Sequence, residues 1–254
     1  MHATLRGPSP LAPFRPYPSR LVMRGDVLLF AGGPPARPAR VAFVLGPTAP
    51  DDVLALAAAH FGAPDAFDVC VEVEAAPAVD EALRTAGWRL NEEEPALVLP
   101  DLTALAERVP PPPADLDIRR VVDAAGFAAF RGLAGTSEHG PPSLEAAVAP
   151  GVALFVGYLD GRPAATARLA CVGHAGAGAR PPAKVGDLTG IRTLPEFRRR
   201  GIATAMTWAA VAEAAAQGCA AAVAFATAMG YPVYVRMGFV PVATYRTYAQ
   251  ARGS

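Results

Sequence analysis

Apolar residues in the second half of the chain recur with two different periods, which predicts alternating strands and helices. Apolar runs flank the turn residues Asp160 and Gly161, a pattern typical of a β-hairpin. Further on, Ile202, Met206 and Ala210 recur at helical spacing, and Gly218 is placed to end that helix. The same patterns predict strands at 116–123, 184–194 and 219–226, helices at 124–136, 143–150 and 230–238, a hairpin at 152–172, and one or two closing strands at 239–250.

The apolar pattern of the first half repeats the order of elements found from Lys184 onward. The two helix-to-strand junctions also agree, since "RTAGWRL" resembles "VRMGFVP". This agreement predicts an internal duplication. The predicted elements of the first half are a strand, a helix, a strand, a helix and a closing strand, at 40–47, 50–62, 67–74, 78–88 and 96–102.

Consecutive prolines at 110–113 mark the sharpest change in composition along the chain. Such a run holds the backbone in an extended, semi-rigid spacer. A second region, 173–184, is rich in glycine, alanine and proline and is predicted to be a loop, with His174 as a solvated bystander. We therefore expect a proline-rich segment at 1–20, a first domain at 21–108, a linker at 109–114 and a second domain at 115–254.

The charge balance narrows the range of partners. The chain has 23 lysines and arginines and 23 aspartates and glutamates, so its formal net charge is zero. A protein that binds nucleic acid or an anionic membrane surface usually carries an excess of basic residues. Neither partner is therefore expected here.

Cysteine usage and hydropathy predict where the protein works. Cys70, Cys171 and Cys219 lie far apart among apolar residues, which is typical of buried, reduced thiols. No spacing of cysteine and histidine matches a zinc site, so no metal is expected. The first residues lack the apolar core of a signal peptide, and no apolar run rich in large side chains could span a membrane. These features predict a cytoplasmic protein.

The segment "TLPEFRRRGIATAM", residues 193–206, places three arginines and a glycine at the start of a predicted helix. The first N–H groups of a helix have no partner within it, and with the helix dipole they favour an anion. Gly201 and Ala203 leave room for a phosphate to approach the backbone, and the arginines add positive charge. The segment therefore predicts a pyrophosphate site, with a solvated basic turn as the alternative.

This segment resembles the Arg/Gln-x-x-Gly-x-Gly/Ala motif of the GNAT N-acetyltransferase superfamily. A second stretch, "YPVYVRMGFVPV" at 231–242, is similar to the "LYEKLGF" segment of that family and follows at the expected distance. The resemblance covers about Leu116 to Tyr248 and implies an α/β fold with a central mixed, mostly antiparallel, twisted sheet flanked by helices. The first half resembles a degenerate GNAT-like domain in tandem, because its equivalent turn, "LGPTAPDDVL", has no arginine and carries two aspartates.

The resemblance implies that acetyl-CoA is bound as a co-substrate. Backbone groups of Ile191 and Thr193, at the end of the strand before the arginines, would contact the pantetheine arm. The N–H groups of residues 199–204 would bind the pyrophosphate. Many family members have an asparagine on the opposite side of the arm, where Thr227 lies in this chain. The implied cofactor-binding residues are Ile191, Arg192, Thr193, Arg198, Arg199, Arg200, Gly201, Ile202, Ala203, Thr204 and Thr227.

The resemblance also implies that Tyr234 protonates the departing CoA thiolate and that a backbone N–H near Ile191 meets the oxyanion. A phenol has an ordinary pKa of about 10 and can donate a proton while neutral; simple packing of the ring is the alternative. Asp187 is the acid on the strand before the arginines and is the candidate general base, with an ordinary strand carboxylate as the alternative. Glu138 and His139 could act on a proton or could be a solvated pair.

Together these features predict an N-acyltransferase that moves an acetyl group from acetyl-CoA to a primary amine by direct attack in a ternary complex. The acceptor is expected to be a small-molecule or peptide amine, and the protein a monomer or a homodimer. A non-catalytic acyl-CoA-binding sensor or regulatory module is the alternative. A third possibility, a nucleic-acid binder that uses the arginines, is disfavoured by the zero net charge.

Overall fold

A computed structural model describes residues 20–32, 39–63, 66–103, 109–134, 143–174 and 183–250 of the chain. Residues 1–19 of the expected proline-rich segment lie outside the described residues. The same is true of Glu138, of His139 and of most of the loop predicted at 173–184.

The first half folds in the predicted order, with one hairpin added before it. This β1–β2 hairpin, which the apolar pattern did not predict, turns at Gly25, where φ is 58°. The closing strand begins at Arg89 rather than at residue 96, because its glutamates continue the alternation between the two sheet faces. The described elements are β1 (Arg20–Arg24), β2 (Val27–Gly32), β3 (Ala39–Val44), α1 (Pro50–Phe61), β4 (Asp68–Glu72), α2 (Pro77–Thr85) and β5 (Arg89–Pro100).

The second half also follows the predicted order. The hairpin at Asp160 and Gly161 is confirmed, since both residues have positive φ, 49° and 73°, and Leu159 pairs with Arg162. Positive φ at both central positions matches the twist of the flanking strands. The described elements are β6 (Leu116–Arg120), α3 (Ala124–Ala134), α4 (Leu144–Ala147), β7 (Val152–Leu159), β8 (Arg162–His174), β9 (Ala183–Thr193), α5 (Ile202–Ala216), β10 (Cys219–Phe225), α6 (Tyr231–Arg236) and β11 (Val240–Ala249).

The described strands of both halves form one continuous sheet, in the order β1-β2-β3-β4-β11-β5-β10-β9-β8-β7-β6. The pairs β3–β4 and β9–β10 are parallel, joined by α1 and α5, and the other described neighbours are antiparallel. The predicted mixed, mostly antiparallel sheet is therefore confirmed. The order is symmetric about the central pair β11–β5, so that β4 corresponds to β10 and β3 to β9.

The last strand of each half lies among strands of the other half. Strand β5 lies between β10 and β11, and β11 lies between β4 and β5. Within the described sheet, β11 therefore pairs with strands of the first half alone. Its side chains reach the same half, since the Tyr248 hydroxyl donates to Asp80 of α2 at 2.6 Å.

Helices cover both faces of the sheet. On β5, the odd-numbered residues Leu97 and Leu99 are buried in the core under α5. Glu93, also odd-numbered, lies on the same face and accepts a hydrogen bond from Arg246 at 2.6 Å. Arg246 in turn donates to Asp80 of α2. Helices α1, α2 and α5 thus share one face. Helices α3 and α4 pack on the other face, against β7. No described helix is both long enough and apolar enough to cross a lipid bilayer.

Gly186 on β9 allows α5 to pack closely on the sheet. A Cβ atom at this position would lie 2.7 Å from the Cβ of Ala214 and 3.0 Å from the Cδ1 of Leu169. We expect Gly186→Ala to lower the free energy of unfolding by about 1–3 kcal/mol, because a well-packed core resists added volume. Urea denaturation measures the change.

Gly132→Ala is the matched control, because nothing lies within 4 Å of a Cβ at Gly132 in α3. Alanine is the better helix former, so this variant should be as stable as the wild type or more stable by up to about 1 kcal/mol. Equal stability of Gly186→Ala and the wild type would contradict the close packing of α5 on β9.

Candidate functional site

A gap opens in the sheet where β9 and β10 separate. These parallel strands pair only as far as Leu188 and Ala224. Strand β9 continues to Thr193 along β8, whereas β10 ends at Phe225. A cavity of about 1340 Å³ occupies the gap. Its walls come from the start of α5, from α6, and from β3, β4, β5 and β11, so that both halves of the chain contribute to it.

The arginine loop, residues 198–201, contributes to the lining of this cavity. Arg199 and Gly201 both have positive φ, 62° and 75°, and Gly201 is the residue before the first turn of α5. The first helical bond runs from the Ala205 N–H to the Gly201 carbonyl, at 3.0 Å. The N–H groups of residues 202–204 precede that bond, and they lie where a helix favours an anion.

The arginines of the loop differ in their placement. Arg199 lines the cavity, as does Arg198, whose Nε donates to the Thr193 carbonyl at 3.2 Å. Arg200 instead forms an ion pair with Asp115 and is not among the lining residues. The other predicted cofactor-binding residues all line the cavity. Two of the three arginines of the loop therefore belong to the cavity lining.

A bulge shapes the end of β9 beside the gap. Gly190 has a φ of 61°, and its carbonyl accepts a hydrogen bond from the Thr166 hydroxyl at 2.8 Å. The pairing register of β8 and β9 shifts between Thr166 and Arg168. Residues 191–193 line the cavity, and Arg192 also donates to the Ala134 carbonyl at 3.2 Å. The bulge thus turns backbone of β9 toward the gap.

Tyr234 enters the same cavity from α6. Its side chain is buried and packs on the ring of Phe239, with ring centroids 5.3 Å apart. Burial, and secondly the negative charge of Glu94, raise the pKa of the Tyr234 phenol to about 12. The phenol is therefore neutral and able to donate a proton across the physiological range. Thr227 also lines the cavity, and its Oγ1 accepts the N–H of Gly230 at 3.2 Å.

Asp187 lies elsewhere. It is buried on β9, on the sheet face that also holds the buried Arg168, and among the described residues it does not line the cavity. Glu138 and His139 belong to the part of the chain that the structure does not describe. Among the described residues, no group of three or more histidines, cysteines, aspartates or glutamates is arranged to hold a metal ion.

The first half supplies lining residues that the sequence analysis missed. Val41 and Phe43 of β3, Cys70 of β4, and Glu92 and Glu94 of β5 all line the cavity. In "RLNEEEPALVLP" the period of a strand places Glu92 and Glu94 on one face and the intervening glutamate on the other. The alternation can be traced in the sequence, but three consecutive charged residues are not typical of a strand, and the strand was therefore predicted to begin only at residue 96.

Glu94 is a carboxyl group of the lining whose pKa is raised by its surroundings. It is half-buried and stands opposite Tyr245 in the register of β5 and β11. Burial, and secondly the charge of Glu92, raise the pKa of Glu94 to about 7. The Tyr245 hydroxyl donates a hydrogen bond to Glu72 of β4 at 2.9 Å rather than to Glu94.

Known proteins share this architecture. Residues 128–239, which include Gly201 and Tyr234, match the model of the acetyltransferase (GNAT) family. No curated protein matches the chain. The chain is similar in structure to a GCN5-related N-acetyltransferase from Kribbella flavida, with 22% identity, a TM-score of 0.68, and coverage of 92% of this chain and 90% of that chain.

A second similar structure is a GCN5-related N-acetyltransferase-like protein from Streptococcus suis, with 15% identity and a TM-score of 0.58. The similarity covers 92% of this chain and 88% of that chain. Both likenesses therefore extend over both halves of the chain. The predicted fold class, a large mixed sheet flanked by helices as in GNAT proteins, is confirmed.

Proposed function

We propose that this protein is an acetyl-CoA-dependent N-acyltransferase that acetylates a primary amine by direct attack in a ternary complex. One observation carries the proposal: a single cavity connects the arginine loop at the start of α5 with the buried phenol of Tyr234 through the gap between β9 and β10. An anion site and a proton donor in the lining of one cavity suit a thioester cofactor that carries both phosphates and a sulfur.

The proposed position of acetyl-CoA follows from this geometry. The pyrophosphate would bind the N–H groups of residues 199–204, with the charges of Arg198 and Arg199 beside it. The pantetheine arm would run through the gap along Ile191 and Thr193, with Thr227 on its other side. Arg200, paired with Asp115, would contribute its backbone rather than its charge.

The proposed chemistry needs a donor for the leaving thiolate and a site for the oxyanion. Tyr234 would donate its phenolic proton to the CoA sulfur as the carbon–sulfur bond breaks. The backbone N–H near Ile191, at the bulged end of β9, would stabilise the oxyanion of the tetrahedral intermediate. Both groups belong to the segment that matches the family model.

We also propose that the chain is a tandem of two GNAT-like units, 21–108 and 115–254, joined by the linker 109–114. The symmetric strand order about β11–β5 supports this proposal. The first turn of α5 in the second unit has no acidic residue and follows the arginine loop, whereas in the first unit Asp51 and Asp52 occupy the first turn of α1. Carboxylates there repel phosphate, so one cofactor per chain is expected. We propose that the protein acts in the cytoplasm as a monomer or a homodimer.

Isothermal titration with acetyl-CoA and with CoA tests the cofactor assignment. We expect the wild type to bind both, and Gly201→Glu to bind at least about 100-fold more weakly, because a carboxylate at the helix start repels the pyrophosphate. The positive φ of Gly201, 75°, adds backbone strain to any side chain at this position.

Gly161→Glu is the matched control. Gly161 has a similar φ of 73° but lies in the β7–β8 turn, outside the cavity lining. This variant should keep wild-type affinity for acetyl-CoA. A folded wild-type protein that binds neither acetyl-CoA nor CoA would overturn the proposed function.

A further inference from the structure

The first half of the chain contributes charged residues to the cavity lining. Strand β5, inserted between β10 and β11, carries Glu92 and Glu94 on the cavity face. Glu93 lies on the opposite face, where it accepts a hydrogen bond from Arg246 at 2.6 Å. The three consecutive glutamates of this strand therefore have separate environments, with Glu92 and Glu94 in the cavity and Glu93 in a structural contact.

Glu94 and Tyr234 act on each other within this cavity. Both side chains line it, and the charge of Glu94 contributes to the raised pKa of Tyr234. Tyr234, an acid that stays protonated, and Glu94, a carboxylate that titrates near neutrality, thus line the same cavity. Pairs of groups whose environments separate their pKa values are typical of acid and base roles in catalysis.

We propose that Glu94, supplied by the first half of the chain, is the general base that deprotonates the acceptor ammonium. This inference rests on the transfer reaction proposed above and assigns one of its steps. Asp187, the candidate from the sequence, is buried away from the cavity lining, whereas Glu94 lies in it.

The proton and electron balance of the step is complete. Glu94 removes one proton from R–NH₃⁺, and the nitrogen lone pair then forms a bond to the thioester carbonyl carbon. The resulting oxyanion intermediate collapses, the carbon–sulfur bond breaks with its electron pair on sulfur, and that sulfur takes the Tyr234 proton. The phenolate regains a proton from the acetylated nitrogen, and Glu94 releases its proton to water.

The cavity wall also indicates the kind of acceptor. Phe225 lies on β10, the neighbour of β5, and Val41 and Phe43 of β3 line the same cavity further along the sheet, so that apolar surface accompanies Glu94 in the lining. An ammonium beside a carboxylate, with its carbon skeleton on this wall, satisfies both surfaces. The structure therefore favours a primary amine with an apolar body over an acidic or highly polar acceptor.

Several titratable and charged groups line the cavity together with Glu94. Burial raises the pKa of Cys70 to about 12, and burial with the charge of Glu72 raises the pKa of Tyr245 above its ordinary value, so both stay neutral near pH 7. The charged groups that line the cavity with Glu94 are Glu92 on β5, Asp68 on β4, Arg236 on α6, and Arg192, Arg198 and Arg199 at the end of β9 and in the loop.

A base must be ionised to work, so the pH profile tests the assignment. Below pH 7 Glu94 becomes protonated, and kcat/KM for the amine should fall with an apparent pKa of about 7. Glu94→Gln should lower kcat about 100-fold and abolish this acidic limb, because general bases contribute on this scale. Glu93→Gln, which changes the neighbouring residue on the opposite face, should retain both the rate and the limb.

The probe acceptor is 2-phenylethylamine, with thiol release from acetyl-CoA as the rate measurement. Its binding to the CoA-saturated protein is measured separately by calorimetry and should weaken about 10-fold in Glu94→Gln. The neutral analogue 2-phenylethanol should bind wild type and variant alike. Affinity for acetyl-CoA should be the same in wild type, Glu94→Gln and Glu93→Gln.

The outcomes separate this inference from the proposed function. If the wild type binds acetyl-CoA and acetylates the amine but Glu94→Gln keeps the rate and the acidic limb, Glu94 is not the base. If the CoA-saturated wild type binds no 2-phenylethylamine, the acceptor class is wrong. If acetyl-CoA itself does not bind, the failure lies with the proposed function.

Discussion

Tyr234→Phe is expected to lower kcat for acetyl transfer about 100-fold while leaving the affinity for acetyl-CoA unchanged. The substitution removes the proton that the phenol would supply to the leaving sulfur in the proposed reaction, and it keeps the ring that packs on Phe239. Because the pKa of Tyr234 is raised to about 12, the wild type should keep its donor through pH 10, where an ordinary phenol would be half ionised. Steady-state kinetics and calorimetry measure the two quantities.

Tyr231→Phe is the matched control for this variant. Tyr231 is the first residue of the same helix, and it is not among the residues that line the cavity. Its loss of a hydroxyl should leave kcat unchanged. Equal turnover of wild type and Tyr234→Phe would contradict the acid role. A wild type that binds acetyl-CoA tightly but turns over no amine would instead favour the sensor alternative.

The fragment 109–254 is expected not to fold on its own, although it contains the whole segment that matches the family model. Within the described sheet, both neighbours of its strand β11 belong to the first half, and the outer edge of β10 pairs with β5. The buried Asp80, which accepts from Tyr248 and from Arg246, would also be missing. Removing one partner of a buried charged pair alone costs about 3–5 kcal/mol.

Circular dichroism and size-exclusion chromatography of the separate fragments check this expectation. Neither 1–108 nor 109–254 should show a cooperative thermal transition, whereas the two fragments mixed should regain it together with acetyl-CoA binding. A monomeric 109–254 fragment that melts cooperatively and binds acetyl-CoA with full-length affinity would show that the second half does not depend on the exchanged strands.

Local patterns predicted most elements of the fold because those elements depend on neighbouring residues. The turn at Asp160 and Gly161 and the helix from Ile202 both follow from the spacing of nearby side chains. The β1–β2 hairpin was missed. Its apolar residues lie next to repeated prolines, which are not typical of strands, and the short edge strand was therefore not predicted.

The exchange of β5 and β11 could not be predicted, because it is a choice between distant partners. By local criteria, β5 and β11 could each pair with strands of their own half. The sequence carries no short-range signal that favours pairing with the other half. For the same reason the sequence did not indicate Glu94 as a site residue, because Glu94 and Tyr234 line one cavity only when the two strands are exchanged. The turn into α5 at Gly201, by contrast, is a local arrangement that the residues around it predicted; its role in cofactor binding stays a prediction.

The exchanged strands also set the order of events during synthesis. Tyr248 on β11 and Asp80 on α2 are separated by 168 positions in the chain, and contacts of that kind form late and slowly. While the ribosome is still making the second half, the first half lacks β11 and exposes the edge of β4, a surface prone to unwanted pairing. Because Tyr245 and Thr247 of β11 line the cavity, its lining is completed only after β11 has been translated. Under the proposed function, a chain that still lacks β11 would therefore not hold an amine beside a thioester.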